Sequence, residues 1–128
     1  MSLPNEHAAP AASALTRLQA HLAPRQSTIL IAEDDAISAR VLDATLARLG
    51  YTTITTRNGT QAWEQFNRKP VRIIVSDWMM PQLDGFGLCE KVRARSETAY
   101  TYFILLTANQ TSATNYELAS AAGVDDLL

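Results

Sequence analysis

The chain has 128 residues, of which 47% are hydrophobic and 19% are charged, so it suits one ordinary domain with enough apolar material for a core. Its net charge of −2 gives no electrostatic reason to expect direct nucleic-acid binding, and its single cysteine, Cys89, excludes an intrachain disulfide. Because the apolar runs are far shorter than the roughly 20 residues of a membrane span, and no basic and apolar leader begins the chain, we expect a cytoplasmic protein without a membrane partner.

Residues 1–27 differ in composition from the rest of the chain. The first ten are rich in alanine, proline and small polar residues, which predicts a flexible tail. Residues 11–23 lie between two prolines and carry three leucines at helical spacing, which indicates a short helix. Such a helix is marginal alone, so it is either a lightly docked tail, or a homodimer contact or linker. The leucines are Leu15, Leu18 and Leu22.

From residue 28 onward, strand patterns alternate with helix patterns. The predicted strands are Thr28–Ala32, Thr52–Thr56, Arg72–Ser76, Tyr102–Leu106 and Asp126–Leu128, the last incomplete. The predicted helices are Ile37–Leu49, Gly59–Asn67, Gly85–Arg95 and Thr111–Ala122. This alternation predicts an α/β fold with a doubly wound parallel sheet, and the continuous apolar character of the strands predicts helices on both sheet faces.

Apolar residues at helical spacing predict the buried face of each helix. Gly50 suits the C-terminal cap of the first helix, and Asp35 and Asp84 suit N-caps. The predicted inward residues are Val41, Leu42, Leu46 and Leu49 in the first helix, Ala62, Trp63 and Phe66 in the second, and Phe86, Leu88, Cys89 and Val92 in the third.

Polar side chains follow three of the predicted strands. Glu33 and Asp34 follow the first strand, Asp77 follows the third, and Thr107 follows the fourth. Because the carboxyl ends of parallel strands meet at one sheet edge, where ligands of such folds bind, these groups should converge. Three carboxylates there repel one another unless a cation joins them, which predicts a divalent metal site and phosphoryl chemistry.

The predicted metal is Mg²⁺, held by oxygen ligands. Asp34 and Asp77 are the expected direct ligands, Glu33 is expected to act through a water, and the backbone carbonyl of Met79 could complete the shell. The carboxylate of Asp77 can attack phosphorus and form an acyl phosphate, a reaction that needs positioning and charge neutralisation.

Further residues are expected at the rim of this pocket. Thr107 can donate its hydroxyl to a phosphoryl oxygen, and the small Ala108 leaves room for the phosphate. Trp78 either lines the rim or packs under the loop after the third strand. We expect Met79 and Asn109 to tune dephosphorylation.

Four motifs, which follow one another along the chain, resemble those of a known family. Ile-Ala-Glu-Asp-Asp stands at 31–35, Ser-Asp-Trp-Met-Met-Pro-Gln-Leu-Asp-Gly at 76–85, Leu-Leu-Thr-Ala at 105–108 and Ala-Gly-Val-Asp-Asp-Leu-Leu at 122–128. Together they resemble the receiver domain of bacterial two-component response regulators. The separations of 43 residues from Asp34 to Asp77 and 30 from Asp77 to Thr107 are usual for that family.

The resemblance implies a function for residues 28–128. It implies a sheet order of 2-1-3-4-5, with Asp77 as phosphoacceptor, Glu33 and Asp34 as the acidic pair and Thr107 as the switch hydroxyl. A histidine kinase or histidine phosphotransfer protein would donate the phosphoryl group, and a downstream output domain would respond. The residues of these motifs are similar to those of receivers attached to cyclic-dinucleotide synthases. Only self-catalysed phosphorylation and dephosphorylation are implied, not an enzyme with an external substrate.

Three features depart from the family pattern. The lysine that follows the fifth strand in receivers would fall near position 130, and the last helix is missing. Leu127 stands where an aromatic switch residue is usual. We expect the natural chain to continue past Leu128, because otherwise the fourth strand would lack its outer cover and expose an apolar edge; a native stop codon directly after Leu128 would contradict this. Without the missing elements, we expect poor phosphorylation or swapping with a second copy.

Three alternatives stay open. A Mg²⁺-dependent aspartyl phosphatase would need an Asp-x-Asp pair after the first strand, whereas 33–35 reads Glu-Asp-Asp. A flavodoxin would need a phosphate-binding loop there, whereas this loop is acidic. A pseudo-receiver would be an interaction module that takes no phosphate.

Overall fold

The structure, a computed structural model, describes residues 27–95, 97–106 and 113–127. The predicted tail helix and the predicted roles of Thr107, Ala108 and Asn109 lie outside these residues. In chain order the elements are β1 (Thr28–Ala32), α1 (Ala36–Arg48), β2 (Thr52–Thr56), α2 (Gly59–Arg68), β3 (Ile73–Asp77), α3 (Gly85–Ala94), β4 (Tyr102–Leu106), α4 (Ala113–Ala122) and β5 (Asp126–Leu127). Each differs from its predicted bounds by at most two residues at an end, the usual uncertainty of such boundaries.

The five strands form one parallel sheet in the order β2-β1-β3-β4-β5, which confirms the predicted fold class. The first crossover moves from β1 to β2, and the next three move the other way across the sheet. Because parallel crossovers are right-handed, α1 lies on one face while α2, α3 and α4 lie on the opposite face. Two apolar clusters follow from this division, one containing Leu42 and Leu46 of α1 and the other containing Phe66 and Leu88 of α2 and α3.

The central strands are buried on both faces. Ile73 and Ile74 of β3 point to opposite faces and both are 0% exposed. Phe103 and Ile104 of β4 are also 0% exposed, so the expectation that β4 would expose an apolar edge is wrong. The two residues of β5 pair with the outer edge of β4, and Leu127 is buried beside it.

The buried face of α1 differs from its prediction at one position. Leu42 and Leu46 are buried as predicted, but Val41 is 60% exposed. Ala39 completes the stripe instead, since positions 39, 42 and 46 fall within one narrow sector of the helix and position 41 lies well outside it. The inward stripe of α3 is confirmed for Leu88, Cys89 and Val92.

The predicted helix caps are confirmed. Asp35 accepts a hydrogen bond from the backbone N–H of Ser38 at 2.8 Å, and Asp84 accepts one from Gly87 at 2.8 Å. Gly50 has φ of 100° directly after α1, a left-handed conformation that glycine adopts without a Cβ penalty. These caps fix where the loops at the carboxyl edge of the sheet end and the helices begin.

Candidate functional site

The carboxyl ends of β1 and β3 bring three acidic side chains together. Ala32 of β1 is in register with Ser76 of β3, so the next residue of each strand reaches the same edge. One carboxylate oxygen from each of Glu33, Asp34 and Asp77, hereafter the acidic cluster, lies within 4.8 Å of the others. Glu33 is 7% exposed, Asp77 is half-buried and Asp34 is exposed, so the cluster opens to solvent on one side.

Backbone contacts hold Glu33 at the bottom of this cluster. Its N–H donates to the carbonyl of Thr56 at 3.1 Å, and its Oε2 accepts from the N–H of Asp35 at 3.1 Å. The buried hydroxyl of Thr56 donates to the carbonyl of Ile31 at 2.6 Å, which joins the ends of β1 and β2. The sequence analysis did not predict a role for Thr56. The predicted parallel pairing of β1 and β2 was the feature of the sequence that could have indicated one.

The acidic cluster is electrostatically strained when it holds no cation. Burial raises the pKa of Glu33 from its ordinary 4.5 to about 7, and the charges of Asp77 and Asp34 add to the rise. Burial also raises the pKa of Asp77, again assisted by the charge of Asp34. Both carboxylates are therefore easier to protonate than free ones, as expected where like charges share a small space.

The donor set fits Mg²⁺. It offers only carboxylate oxygens, which are the hard ligands that this ion prefers, and the exposed side of the cluster leaves room for the waters that it retains. A divalent cation would also offset the mutual repulsion that raises the pKa values of Glu33 and Asp77. Asp34, Asp77 and Glu33 are the residues that would hold the ion.

The loop from β3 to α3 lies close against Asp77. The N–H of Trp78 donates to the carbonyl of Leu106 at 3.0 Å, and the N–H of Gly85 donates to the carbonyl of Trp78 at 2.9 Å. A Cβ on Gly85 would lie 2.5 Å from the carbonyl oxygen of Asp77, so only glycine permits this return of the chain. Gln82 within the loop has a positive φ of 73°.

Of the residues predicted at the pocket rim, the structure describes Trp78 and Met79. Trp78 is half-buried and meets Phe86 edge-to-face at a centroid distance of 4.9 Å, and its predicted position at the pocket rim stays a prediction. The Met79 side chain is 71% exposed, and the part assigned to its carbonyl stays a prediction. Ile37 and Val41 of α1 are also exposed, and neither was predicted as a surface residue.

Comparisons with known proteins agree with this geometry. Residues 29–128 match the family described as response regulator receiver domain. A probable transcriptional regulator ycf27 from Porphyridium aerugineum is 32% identical over 104 residues, which are 81% of this chain and 42% of that protein. The chain therefore spans less than half the length of that relative.

Solved structures show the same fold. The chemotaxis protein CheY4 of Vibrio cholerae has a TM-score of 0.75 and 26% identity, with 80% of this chain and 85% of that chain covered. The receiver domain of the histidine kinase CKI1 from Arabidopsis thaliana, solved with Mg²⁺ and BeF₃⁻, has a TM-score of 0.70 and 21% identity, with coverage of 80% and 79%.

The sheet order and the acidic cluster at its carboxyl edge define a doubly wound α/β protein of the receiver type. The chain belongs to the response regulator receiver domain family of two-component systems. Domains of this family bind Mg²⁺ at an acidic site and are generally not classical enzymes. Within the described residues, no helix has the length and apolarity to cross a membrane.

Proposed function

We propose that this domain accepts a phosphoryl group on Asp77 from a phosphohistidine of a histidine kinase or a histidine phosphotransfer protein. The observation that supports this most is the convergence of Asp77 with Glu33 and Asp34 within 4.8 Å at the open edge of the sheet. A half-buried carboxylate that is flanked by two further carboxylates has both a nucleophilic oxygen and neighbours that can hold a cation.

The transfer is a displacement at phosphorus. A carboxylate oxygen of Asp77 forms the new O–P bond while the P–N bond of the donor breaks, and the bonding electron pair stays on the imidazole nitrogen. Asp34 and Asp77, with Glu33 acting through a water, would hold Mg²⁺, and the ion would supply positive charge that offsets the charge of the phosphoryl oxygens. Thr107, directly after β4 in the sequence, donates its hydroxyl to a phosphoryl oxygen.

The phosphorylated form then acts as a switch. Phosphate adds about −1.5 to −2 charges and new acceptor oxygens, which bias a two-state element of the domain. Movement of Thr107 toward the phosphoryl group changes the face formed by α4 and β5, and a downstream output domain reads that change in the cytoplasm. A cyclic-dinucleotide synthase is the output whose receivers have similar motifs. Hydrolysis of the acyl phosphate resets the domain, so the chemistry acts on the protein itself.

The test is phosphorylation by acetyl phosphate. The protein is incubated with acetyl phosphate and Mg²⁺, and intact mass is measured. The expected result is that a fraction of the protein gains one phosphoryl group. Chelation of Mg²⁺ should prevent this gain, and Asp77→Asn should abolish it. Asp35→Asn is the matched control, because Asp35 lies beside the cluster but caps α1, and it should be phosphorylated normally.

Two outcomes would contradict the proposal. A phosphoryl group retained in Asp77→Asn would place the acceptor elsewhere. No gain of mass in the wild-type protein, with Mg²⁺ binding intact, would favour a pseudo-receiver that acts only as an interaction module. Steady turnover of a small phosphate ester would instead favour an aspartyl phosphatase.

A further inference from the structure

One residue of β2 holds the end of β1 at two points. The hydroxyl of Thr56 donates to the carbonyl of Ile31 at 2.6 Å, and the carbonyl of Thr56 accepts from the N–H of Glu33 at 3.1 Å. Ala32, which is in register with Thr56, lies between these two contacts. The last residues of β1 are thus fixed to β2 by a side-chain bond and a backbone bond, directly before the acidic cluster begins.

This attachment opposes a displacement that the charges of the acidic cluster favour. Its carboxylate oxygens lie within 4.8 Å of one another, and their repulsion pushes the end of β1 away from the end of β3. The register of β1 with β3 ends at Ala32 and Ser76, so the pairing of these two strands stops before the acidic residues. The contacts of Thr56 therefore act where the chain has begun to leave the ladder.

The end of β3 is held from its other side. The register of β3 with β4 includes Asp77 and Leu106, and the N–H of Trp78 donates to the carbonyl of Leu106 at 3.0 Å. At the end of β1, a hydroxyl adds to the backbone contacts, and a substitution can remove it without deleting a backbone group. The contribution of Thr56 can therefore be measured separately.

We propose that Thr56 is a positioning residue for the metal site of this domain. Its hydroxyl fixes the end of β1 so that Glu33 and Asp34 stay at the distance from Asp77 that one Mg²⁺ requires. Thr56 acts through the backbone of β1 rather than as a ligand, and the inference rests on the Mg²⁺ site of the proposed function. The net contribution of one hydrogen bond corresponds to about a fivefold change in an equilibrium constant, so loss of the hydroxyl should weaken Mg²⁺ binding by that factor.

The test is a Mg²⁺ titration of ¹⁵N-labelled protein, followed by its amide chemical shifts. Thr56→Val keeps the β-branched shape without the hydroxyl and should raise the Kd about fivefold. Thr56→Ala also lacks the hydroxyl, in a smaller side chain, and should raise the Kd by the same factor. Thr56→Ser keeps the hydroxyl and should bind Mg²⁺ as the wild type does.

Thr101→Val is the matched control. Thr101 is also buried, and its hydroxyl donates to the carbonyl of Val71 at 2.7 Å, at the amino edge of the sheet. The substitution removes the same kind of hydrogen bond and should lower stability in urea by a similar amount. It should leave the Kd for Mg²⁺ unchanged, because the acidic cluster lies at the opposite edge.

A second measurement needs no metal. The N–H of Glu33 donates to Thr56, so its hydrogen exchange reports how firmly the end of β1 is held. In metal-free protein, this exchange should be about fivefold faster in Thr56→Val than in Thr101→Val. The comparison accounts for the loss of global stability that both variants share.

Three outcomes would overturn the inference while leaving the metal site itself intact. They are an unchanged Kd in both Thr56→Val and Thr56→Ala, an equal rise of the Kd in Thr101→Val, and an equal rise in Thr56→Ser. Equal exchange at Glu33 in the two valine variants would also overturn it. A wild-type protein that binds no Mg²⁺ would instead overturn the metal site of the proposed function, and this inference with it.

Discussion

Folding disfavours the ionisation of Glu33. Its folded pKa is about 7 against an ordinary 4.5, so its charged form is disfavoured in the folded state. This destabilisation of the folded state is absent below pH 4.5, where Glu33 is protonated in the folded and the unfolded chain. It reaches its full size above about pH 7. Since the unfolded chain ionises first, metal-free protein should lose stability as pH rises through this window.

Glu33→Gln should remove that cost while keeping an oxygen that accepts from the N–H of Asp35. At pH 8 without metal, we expect the free energy of unfolding to rise by on the order of 2 kcal/mol, and at pH 4 to change little. Urea denaturation at both pH values measures it. Glu117→Gln, an exposed change on α4, is the control for replacing a glutamate by glutamine.

Added Mg²⁺ should make the wild type more stable than Glu33→Gln, which reverses their order of stability without metal. The wild type should gain stability from the ion, and Glu33→Gln should gain less because the acidic cluster has lost one carboxylate. A wild-type unfolding curve that millimolar Mg²⁺ leaves unchanged would contradict the assignment of these residues to a metal site.

Cys89 should not react with thiol reagents in the folded protein. Its side chain is buried, and burial raises the pKa of its thiol to about 12, so the reactive thiolate is essentially absent at neutral pH. We expect alkylation by iodoacetamide at pH 8 to proceed only through unfolding, and destabilising variants to accelerate it in proportion to their unfolded population. Alkylation at the rate of a free thiol, measured by mass spectrometry, would contradict the buried position.

At the scale of elements, the β3–α3 loop depends on Gly85. A Cβ there would lie 2.5 Å from the carbonyl oxygen of Asp77 and 2.3 Å from Cδ1 of Leu105, so the backbone would have to move. We expect Gly85→Ala to cost about 1–3 kcal/mol and to slow phosphorylation, because the displaced segment carries Asp77. Denaturant unfolding and intact mass measure the two effects.

Gly87→Ala is the matched control in the same helix. Its nearest obstacle is Cδ1 of Leu83 at 2.7 Å, the end of a side chain that can rotate away. Alanine also favours the helix by about 1 kcal/mol relative to glycine, so the net change should be small. A larger loss of stability at 87 than at 85 would show that the loop does not depend on the close approach at Gly85.

The sequence predicted the elements well because each has a local signal. Alternation of apolar strands and amphipathic helices, with Asp35, Asp84 and Gly50 at the boundaries, is set by neighbours in the chain. The acidic cluster was predictable for a related reason, since residues after parallel strands meet at one edge. Val41 was mispredicted because α1 covers only part of one face, and periodicity alone does not give the width of a buried stripe.

Contacts over long sequence separations were not predictable at the scale of the whole molecule. Arg93, at the end of α3, donates to the carbonyls of Thr101 and Gly123 at 2.8 and 2.9 Å. It also pairs with Asp125 at 2.8 Å, and Asp125 in turn accepts from the N–H of Phe103. An arginine in the last turn of a helix gives no sequence signal for partners that are 8, 30 and 32 residues away, so only the folded chain shows this junction.

Arg93 should therefore stabilise the molecule as a whole. Arg93→Met keeps much of the aliphatic stem but removes the donor to the Thr101 and Gly123 carbonyls and the cation that pairs with Asp125, which still accepts from the N–H of Phe103. These contacts lie at the amino edge of the sheet, where α3, β4 and the α4–β5 turn meet. We expect a loss of about 2–3 kcal/mol in denaturant unfolding, with phosphorylation of folded protein retained because the acidic cluster lies at the other edge.

Arg95→Met is the comparison that separates this junction from an ordinary surface charge. Arg95 pairs with Glu97, whose side chain is 64% exposed, and with Asn67, so its loss should cost less than about 1 kcal/mol. Equal effects of the two substitutions would mean that the Arg93 contacts add nothing beyond surface pairing. A large loss of stability for Arg93→Met alone would show that the contacts at the amino edge of the sheet stabilise the fold. The residues that carry the chemistry lie at the opposite, carboxyl edge, around Asp77.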